Sequence, residues 1–349
     1  MTSAIFAQTG FRRSAPLIVC LLALTTTPSL ALAQDSDKDT WLENRFPFRV
    51  SSRRDNGPMM SLVKPLCEAA GQSTVQVFSN NKAVALGIVV SKDGLIVTKR
   101  SELSGDPIRV RFPDKRYVAA RVAAVRREAD LALLDCDIQN TTPAEFHEAT
   151  PEVGSFLVSV ARGGRPMRLG AVSVAPRPLP AQAKLGVRLI DDRQGTALVD
   201  QVFPFSGAEE AGIQSGDKIL AIDGRSSNNS REVTRLLQAM FPGESVRLTI
   251  ARDGDTVELD AQIRDANLLF ESENDARLNG PRSKRFNGFD LALQHDTVLD
   301  TNECGGPVVD SKGRVVGLNI ARAGRVVSYA LPSSLIRPLV DSMIEEAGE

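Results

Sequence analysis

Short apolar runs rich in β-branched residues, each closed by turn formers, recur along most of the chain. "STVQVFSN" (73–80), "AVALGIVVSKDGLIVT" (83–98), "IRVRFPD" (108–114) and "YVAARVAAVRREADLALLDCD" (117–137) have the length and composition of strands. Lys92-Asp93-Gly94 reads as a hairpin turn, and a small barrel is the economical way to close such a series without bare edges. "VGSFLVSVARGG" (153–164) and "MRLGAVSVAP" (167–176) add two strands before "PRPLPAQ" (176–182) breaks the pattern.

The texture then changes. From "KLGVRLI" (184–190) onward, strands are joined by a short helix at Ala208 to Ala211 and a longer one around Ser230 to Met240, and Asp253-Gly254 marks a closing hairpin. A polar stretch from about Asp265 to Lys284 reads as a linker. Beyond it the segment 290–334 returns to strands, and a terminal helix runs from Leu335 to about Glu345. At the other end, Asp35 to about Met60 is charged and without period and also reads as a linker, followed by the short amphipathic stretch "SLVKPLCEAAG".

Composition narrows the function classes. Nineteen prolines and twenty-six glycines in 349 residues agree with many turns and argue against an all-helical chain. Lys plus Arg (42) nearly cancels Asp plus Glu (43), so no basic surplus points to nucleic acid. Arg12 and Arg13 ahead of the apolar run Ala15 to Leu24, with the small-x-small pattern Ala31-Leu32-Ala33, read as a secretory signal cleaved after Ala33. The run is shorter than the roughly 20 residues of a spanning helix, so the mature chain is expected in the periplasm or outside the cell. Cleavage leaves Cys67, Cys136 and Cys304, an odd number that requires at least one unpaired thiol. His147 and His295 lack ligand spacing with any cysteine, so no metal or cofactor is expected and both read as surface or packing residues.

These segments resemble the trypsin-like fold of HtrA-type periplasmic proteases carrying a PDZ domain. The resemblance rests on "ALGIVVSKDGLIVTKRSEL", "ADLALLD", "VGSFLVSVA" and "LQHDTVLDTNECGGPVVDSKGRVVGLNIA", and with the PDZ-like stretch it covers about Ser73 to Val340. It implies a mainly β chain, a trypsin-like double β-barrel with the PDZ domain inserted in the second barrel. The usual arrangement places that domain after a complete protease domain. The expected order is a signal peptide (1–33), a disordered linker (34–60), the first barrel (61–148), part of the second (149–180), the PDZ domain (181–266), a linker (267–285), and the completed second barrel with a C-terminal helix (286–349).

The resemblance also carries catalytic positions, one at a time. The family's "T-x-x-H" supplies the general base, and the matching run is Thr98-Lys99-Arg100-Ser101, so Ser101 stands where the histidine should be. The aspartate that orients that histidine matches Asp130, which is left with no imidazole to orient. The nucleophile run matches Asn302-Glu303-Cys304-Gly305-Gly306-Pro307, with Cys304 for serine and Asn302 for the glycine whose N–H completes the oxyanion hole, so Asn302, Glu303 and Cys304 are the oxyanion-equivalent positions. An unassisted thiol is only a few per cent thiolate at neutral pH. Lys99 and Arg100 flank the vacated position but are poor proton acceptors, and His295 matches a position in the substrate-pocket region.

The PDZ-like stretch keeps more of its parts. Lys184-Leu185-Gly186-Val187 resembles the loop whose N–H groups hold a peptide's terminal carboxylate, with Lys184 in place of the usual aromatic residue. Val233 and Leu237, four apart on the longer helix, are expected to line the groove for the last side chain. The leading expectation is a secreted, catalytically inactive protease homologue that binds peptides or protein C-termini through this domain; homo-oligomer formation is left open. The alternative is an active endopeptidase using Cys304 with an unconventional base, and a third reading makes Cys304 a redox or disulfide-forming thiol.

Overall fold

The computed structural model describes residues 54–348; the signal peptide with its cleavage site after Ala33, Cys20, and residues 34–53 of the N-terminal linker lie outside the described residues. Helix α1 (Gly57–Gln72) comes first. Its start departs from the sequence reading, which carried a linker to Met60: the Asn56 side chain accepts the Met59 N–H at 2.9 Å, and a proline sits in the first turn. A four-residue cap is too short to show a period, so only its chemistry could have revealed it. The buried face, Val63, Cys67 and Ala70, packs against Val158, Val160, Leu169 and Val309.

Six strands form a closed barrel in the order β1-β2-β3-β6-β5-β4: β1 (Thr74–Ser79), β2 (Lys82–Val89), β3 (Leu95–Lys99), β4 (Ile108–Arg111), β5 (Tyr117–Arg126) and β6 (Leu131–Cys136). Val75, Val77, Val89, Ile96, Val110 and Leu134 fill it, all fully buried. Next come β7 (Phe156–Ala161) and β8 (Arg165–Leu179). Strand β8 runs straight through Pro176 and Pro178, where the sequence suggested an interruption. Val174, Arg177 and Leu179 are paired with the later strand β17, and Pro176 and Pro178 fall between these paired positions, so their missing N–H groups cost the ladder nothing.

The chain then forms a separate sheet, ordered β10-β11-β12-β14-β15, from β10 (Val187–Asp191), β11 (Ala197–Val202), β12 (Lys218–Ile222), β14 (Ser245–Arg252) and β15 (Asp255–Gln262), with β13 (Arg225–Ser226) against β12. Two short strands, β9 (Ala183–Lys184) and β16 (Arg264–Asp265), pair with each other and bring the two ends of this segment together. Helices α2 (Gly207–Glu210) and α3 (Ser230–Gln238) lie within it, each capped by a side chain that accepts an N–H, Ser206 for α2 and Asn229 for α3. Its core joins Leu185, Ile213, Ile219, Val233, Leu248 and Ile250.

After α4 (Ala266–Leu269) and α5 (Glu273–Asn279), strands β17 (Phe289–His295), β18 (Pro307–Val309), β19 (Val315–Gly324) and β20 (Val327–Pro332) join β7 and β8 in a second closed barrel, ordered β17-β20-β19-β18-β7-β8. Neither half closes alone, so the fold is a double barrel whose second member is interrupted by the inserted sheet. The interruption is tolerated because Phe289 pairs with Leu179 across the junction, and the β9–β16 pair holds the ends of the insert side by side. Helix α6 (Ser333–Gly348) buries Ile336, Val340 and Met343 beside Ile88, Val97, Leu131, Phe289, Leu318 and Ile320, one core shared by both barrels.

The stretch 267–285 read as a polar linker is partly helical, and its end is interior: Ser283 and Arg285 are both 1% exposed. Arg285 Nη2 donates to the Glu128 carbonyl at 2.6 Å, Nη1 to the Arg127 carbonyl and Nε to the Asn287 carbonyl at 3.1 Å. Its guanidinium also stacks 4.0 Å from the Phe241 ring centroid and 4.8 Å from that of Phe289. Backbone carbonyls from the first barrel thus satisfy a charge that composition alone assigns to solvent.

Candidate functional site

Strand β3 ends at Lys99, and the turn before β6 places Asp130 at φ 57, a left-handed backbone that aims its carboxylate back at β3. Asp130 Oδ2 accepts the Ser101 hydroxyl at 2.8 Å, and Oδ1 accepts the Ser101 N–H at 2.9 Å. The Lys99 ammonium lies 3.0 Å from Oδ2, both side chains fully buried, and it also donates to the Arg285 carbonyl at 2.7 Å. Asp130 therefore does have a group to orient, contrary to the expectation from the missing imidazole: it fixes a lysine and a serine. In this geometry Lys99 is a donor to two acceptors.

Cys304 lies on the other barrel, in the loop between β17 and β18, at the end of a one-turn 3-10 helix (Thr301–Glu303). Its carbonyl accepts the Leu86 N–H of β2 at 2.8 Å, which ties the two barrels at this point. Gly305, at φ 94, sits so close to β2 that a Cβ would meet the Leu86 carbonyl oxygen at 2.1 Å. The Cys304 N–H donates to the Thr301 carbonyl at 3.3 Å, so that donor is turned into its own loop. Asn302 is exposed, and Glu303 accepts the Asp300 N–H at 2.8 Å in a capping box. Burial raises the Glu303 carboxyl above its ordinary range.

The Cys304 thiol is fully buried. Its sulfur lies 3.7 Å from the Ser283 hydroxyl and 3.9 Å from the Asp300 carbonyl oxygen, neither of which takes up a proton at neutral pH. Burial pushes its pKa up to about 11, with the Lys99 charge pulling the other way. The thiolate is then about one part in 10⁴ at pH 7. Cys67 and Cys136 are also free and buried, both pushed up to about 12 by burial. No disulfide joins these three among the described residues.

What buries the thiol is the chain itself. Ser283 faces Cys304 and accepts the Arg322 N–H at 3.0 Å; the Lys284 N–H donates to Glu102 Oε1 at 3.2 Å; Arg285 reaches the first barrel. The segment 283–285 thus runs from the Cys304 side to the Ser101 side. Gly243, in the inserted sheet's α3–β14 turn, backs it closely, since a Cβ there would lie 3.2 Å from Lys284 Cβ and 3.3 Å from Ser101 Cβ. Glu244 in the same turn accepts from Arg127 at 2.7 and 2.9 Å and from Arg100 at 3.0 Å. Burial opposes ionisation of Glu244, but the Arg127 and Arg100 charges and the Phe241 N–H outweigh it and hold its carboxyl below the ordinary range.

His295 is fully buried inside the second barrel, and neither ring nitrogen has a hydrogen-bond partner among the described residues. Burial pushes its pKa down to about 4, leaving a neutral imidazole that packs the barrel. His147 is half-buried at the surface, with Nε2 2.6 Å from Arg314 Nη1.

The inserted sheet carries a groove of about 760 Å³ between the edge strand β10 and helix α3. Lys184, Leu185, Gly186 and Val187 close one end, and Leu237 lies on its wall. Val233 does not: it is fully buried in the core, and the groove-lining positions of α3 are Ser230, Arg231, Thr234, Arg235, Leu237 and Gln238. Gly186 has φ 92, and a Cβ there would sit 2.1 Å from Ser206 Cβ. The carbonyls of Leu185 and Gly186 accept from Ala208 and Phe203, while among the described residues their N–H groups have no acceptor. Leu269 and Phe270, from α4 and the residue after it, add an apolar wall that no local sequence signal places here, because they follow the last strand of the insert.

A family model described as "PDZ domain" matches residues 183–263. The chain is 36% identical over 297 residues to a protein of Marinomonas sp. (strain MWYL1) described as "Probable periplasmic serine endoprotease DegP-like", covering 59% of this chain and 63% of that one. A protein of the same description from Pseudomonas fulva (strain 12-X) is 30% identical over 145 residues, covering 40% of this chain and 30% of its own length. The chain thus spans less than two thirds of either relative. A solved serine endoprotease from Yersinia pestis is 16% identical, with 57% of this chain and 96% of that one covered, at a TM-score of 0.28, too low to bear on the fold.

Proposed function

We propose that this chain is a periplasmic member of the HtrA-type, PDZ-containing protease family that has given up peptide hydrolysis and binds peptides or protein C-termini through its PDZ groove. The observation that carries the reading is the closed cleft. Ser283 contacts the Cys304 sulfur while the Lys284 N–H donates to Glu102 beside Ser101, the thiol's side-chain and carbonyl hydrogen-bond partners among the described residues include no base, and the Cys304 N–H is spent within its own loop. General-base catalysis requires an acceptor within hydrogen-bond distance of the nucleophile's proton, and here the neighbours are a hydroxyl and a carbonyl. Ser101, Asp130 and Cys304 are read as triad-equivalent positions now employed in holding the barrels and the insert together, with Asn302 and Glu303 as remnants of the oxyanion turn.

The groove supports the binding half of the proposal. Strand β10 is an edge, so an extended peptide can add to it, and the Leu185 and Gly186 N–H groups are free to take a carboxylate. Leu185, Leu237, Leu269 and Phe270 surround the place for an apolar last side chain. The relatives' description as periplasmic supports a periplasmic location, and the reading takes the N-terminal signal, cleaved after Ala33, as the route of export. The reading requires no cofactor, and oligomer formation is compatible with it. Amidating the C-terminus of a bound peptide is expected to weaken binding at least tenfold, because a charge-assisted contact to two N–H groups is lost. Equal affinity of free and amidated peptides in a titration would exclude the carboxylate loop at Lys184 to Val187.

A further inference from the structure

The groove has a charge of one sign. Lys184, Arg231 and Arg235 are among its lining residues, and among the described residues no aspartate or glutamate lines it. The chain as a whole is nearly neutral, with a formal net charge of −1, so this bias is local. It is also largely unspent. Arg235 reaches Glu232 only at 3.9 Å and its side chain is 75% exposed; Lys184 and Arg231 have no close ion pair among the described residues, although, after the Ser230 hydrogen bonds, the Arg231 charge helps hold the Asp191 carboxyl below its ordinary range. Elsewhere the same surface pairs its cations closely, as in Arg188 with Asp200 and Lys218 with Asp192 at 2.7 Å.

Strand addition fixes the direction of a bound peptide. A terminal carboxylate held at 184–187 puts the peptide's end at the start of β10, so upstream residues run along β10 toward Asp191. The first turn of α3 lies at that far end, because the Ser230 N–H donates to Asp191 Oδ1 at 2.6 Å. Arg235 therefore stands nearer the peptide's terminus and Arg231 farther upstream. They are four residues apart, about 6 Å along a helix axis. Alternate residues of an extended strand are roughly 6.8 Å apart. Two anionic side chains at alternate positions of the peptide match the two guanidinium groups in spacing and in sign.

We infer that the PDZ groove selects C-terminal peptides that carry acidic residues at alternate positions upstream of an apolar last residue, with Arg231 and Arg235 as the specificity-determining side chains. This rests on the peptide-binding reading above and deepens it. The contacts are exposed, so each is weak; together they are expected to favour acidic over basic peptides by about three- to tenfold at low salt. Screening shortens their reach to about 10 Å at 0.1 M ionic strength, and the preference shrinks as salt rises.

The test uses the mature full-length chain and three peptides ending in the same free valine carboxylate, with Glu, Gln or Lys at two alternate upstream positions. Binding is expected in the order Glu, Gln, Lys, with the Glu-to-Lys affinity ratio falling toward one as sodium chloride is added. In Arg231→Gln/Arg235→Gln the ratio should collapse toward one, and in Arg231→Lys/Arg235→Lys it should survive. Equal binding of the Glu and Lys peptides to the wild type, or a ratio unchanged in the glutamine variant, overturns the charge reading alone. An amidated Glu peptide that binds as tightly as the free acid sinks the carboxylate loop beneath it, and the charge reading with it.

Discussion

Replacing Lys99 with methionine is expected to lower the stability of the fold by about 3–5 kcal/mol, the usual cost of removing one partner from a buried ion pair. Lys99 and Asp130 are both fully buried, and the variant would leave the Asp130 carboxylate with the Ser101 N–H and hydroxyl but no cation. The Arg285 carbonyl would lose its donor as well. Removing both charges, as in Lys99→Met/Asp130→Asn, is expected to recover most of the loss, because a neutral pair of similar volume escapes the desolvation penalty. Urea unfolding of the wild type and both variants at pH 7 measures this. A Lys99→Met protein within 1 kcal/mol of the wild type (about a fivefold change in the unfolding equilibrium) would show that the pair does not hold the cleft together.

Acidification should produce the second large effect. His295 has a folded-state pKa of about 4 against an ordinary value of 6.5, because burial disfavours its cation. Between those values the unfolded chain binds a proton that the folded chain refuses, so stability is full above about pH 6.5 and falls as the pH drops toward 4. The loss from this group is about 3 kcal/mol at pH 4. Burial also raises the Asp265 and Glu303 carboxyls, which works in the opposite direction. The difference between the wild type and His295→Gln isolates the histidine. The variant's stability should depend less steeply on pH from 6.5 to 4, and parallel curves for the two proteins would contradict a buried neutral imidazole.

The double barrel and its insert were legible because strands declare themselves locally, by β-branched alternation and turn residues, and because "NECGGPVVD" and "KLGVRL" are distinctive as runs. Three features were hidden, each for its own reason. Lys99 and Arg285 look like surface residues in sequence, since only the fold brings Asp130 to the one and the Arg127, Glu128 and Gly288 carbonyls to the other. Val233 was assigned to the groove because it is apolar and four residues from Leu237. The core had the prior claim on the apolar face of α3, and the groove received Ser230 and Thr234. Phe270, 78% exposed, lies beyond the domain's last strand, and nothing local marks it as a wall of the groove.

The same tertiary effect governs the site. The resemblance placed Ser101 and Cys304 at the positions of a base and a serine nucleophile, which leaves open whether some other group supplies the chemistry. The structure supplies the neighbours: Ser283 beside the sulfur, Lys284 and Gly243 against Ser101, and Arg322 linking the Asn279 carbonyl to the Leu299 carbonyl and Asp300. These contacts leave Ser101, Ser283 and Cys304 buried.

Incubation of the purified mature chain with casein, followed by electrophoresis beside a Cys304→Ala control, tests catalytic silence most directly. General-base assistance is typically worth about 10² to 10⁴ in rate, and the buried thiol and the inward-turned Cys304 N–H lower the rate further. Casein is expected to remain intact with both proteins over a day at neutral pH. Casein cut by the wild type and spared by Cys304→Ala would contradict the proposal and make Cys304 a working nucleophile.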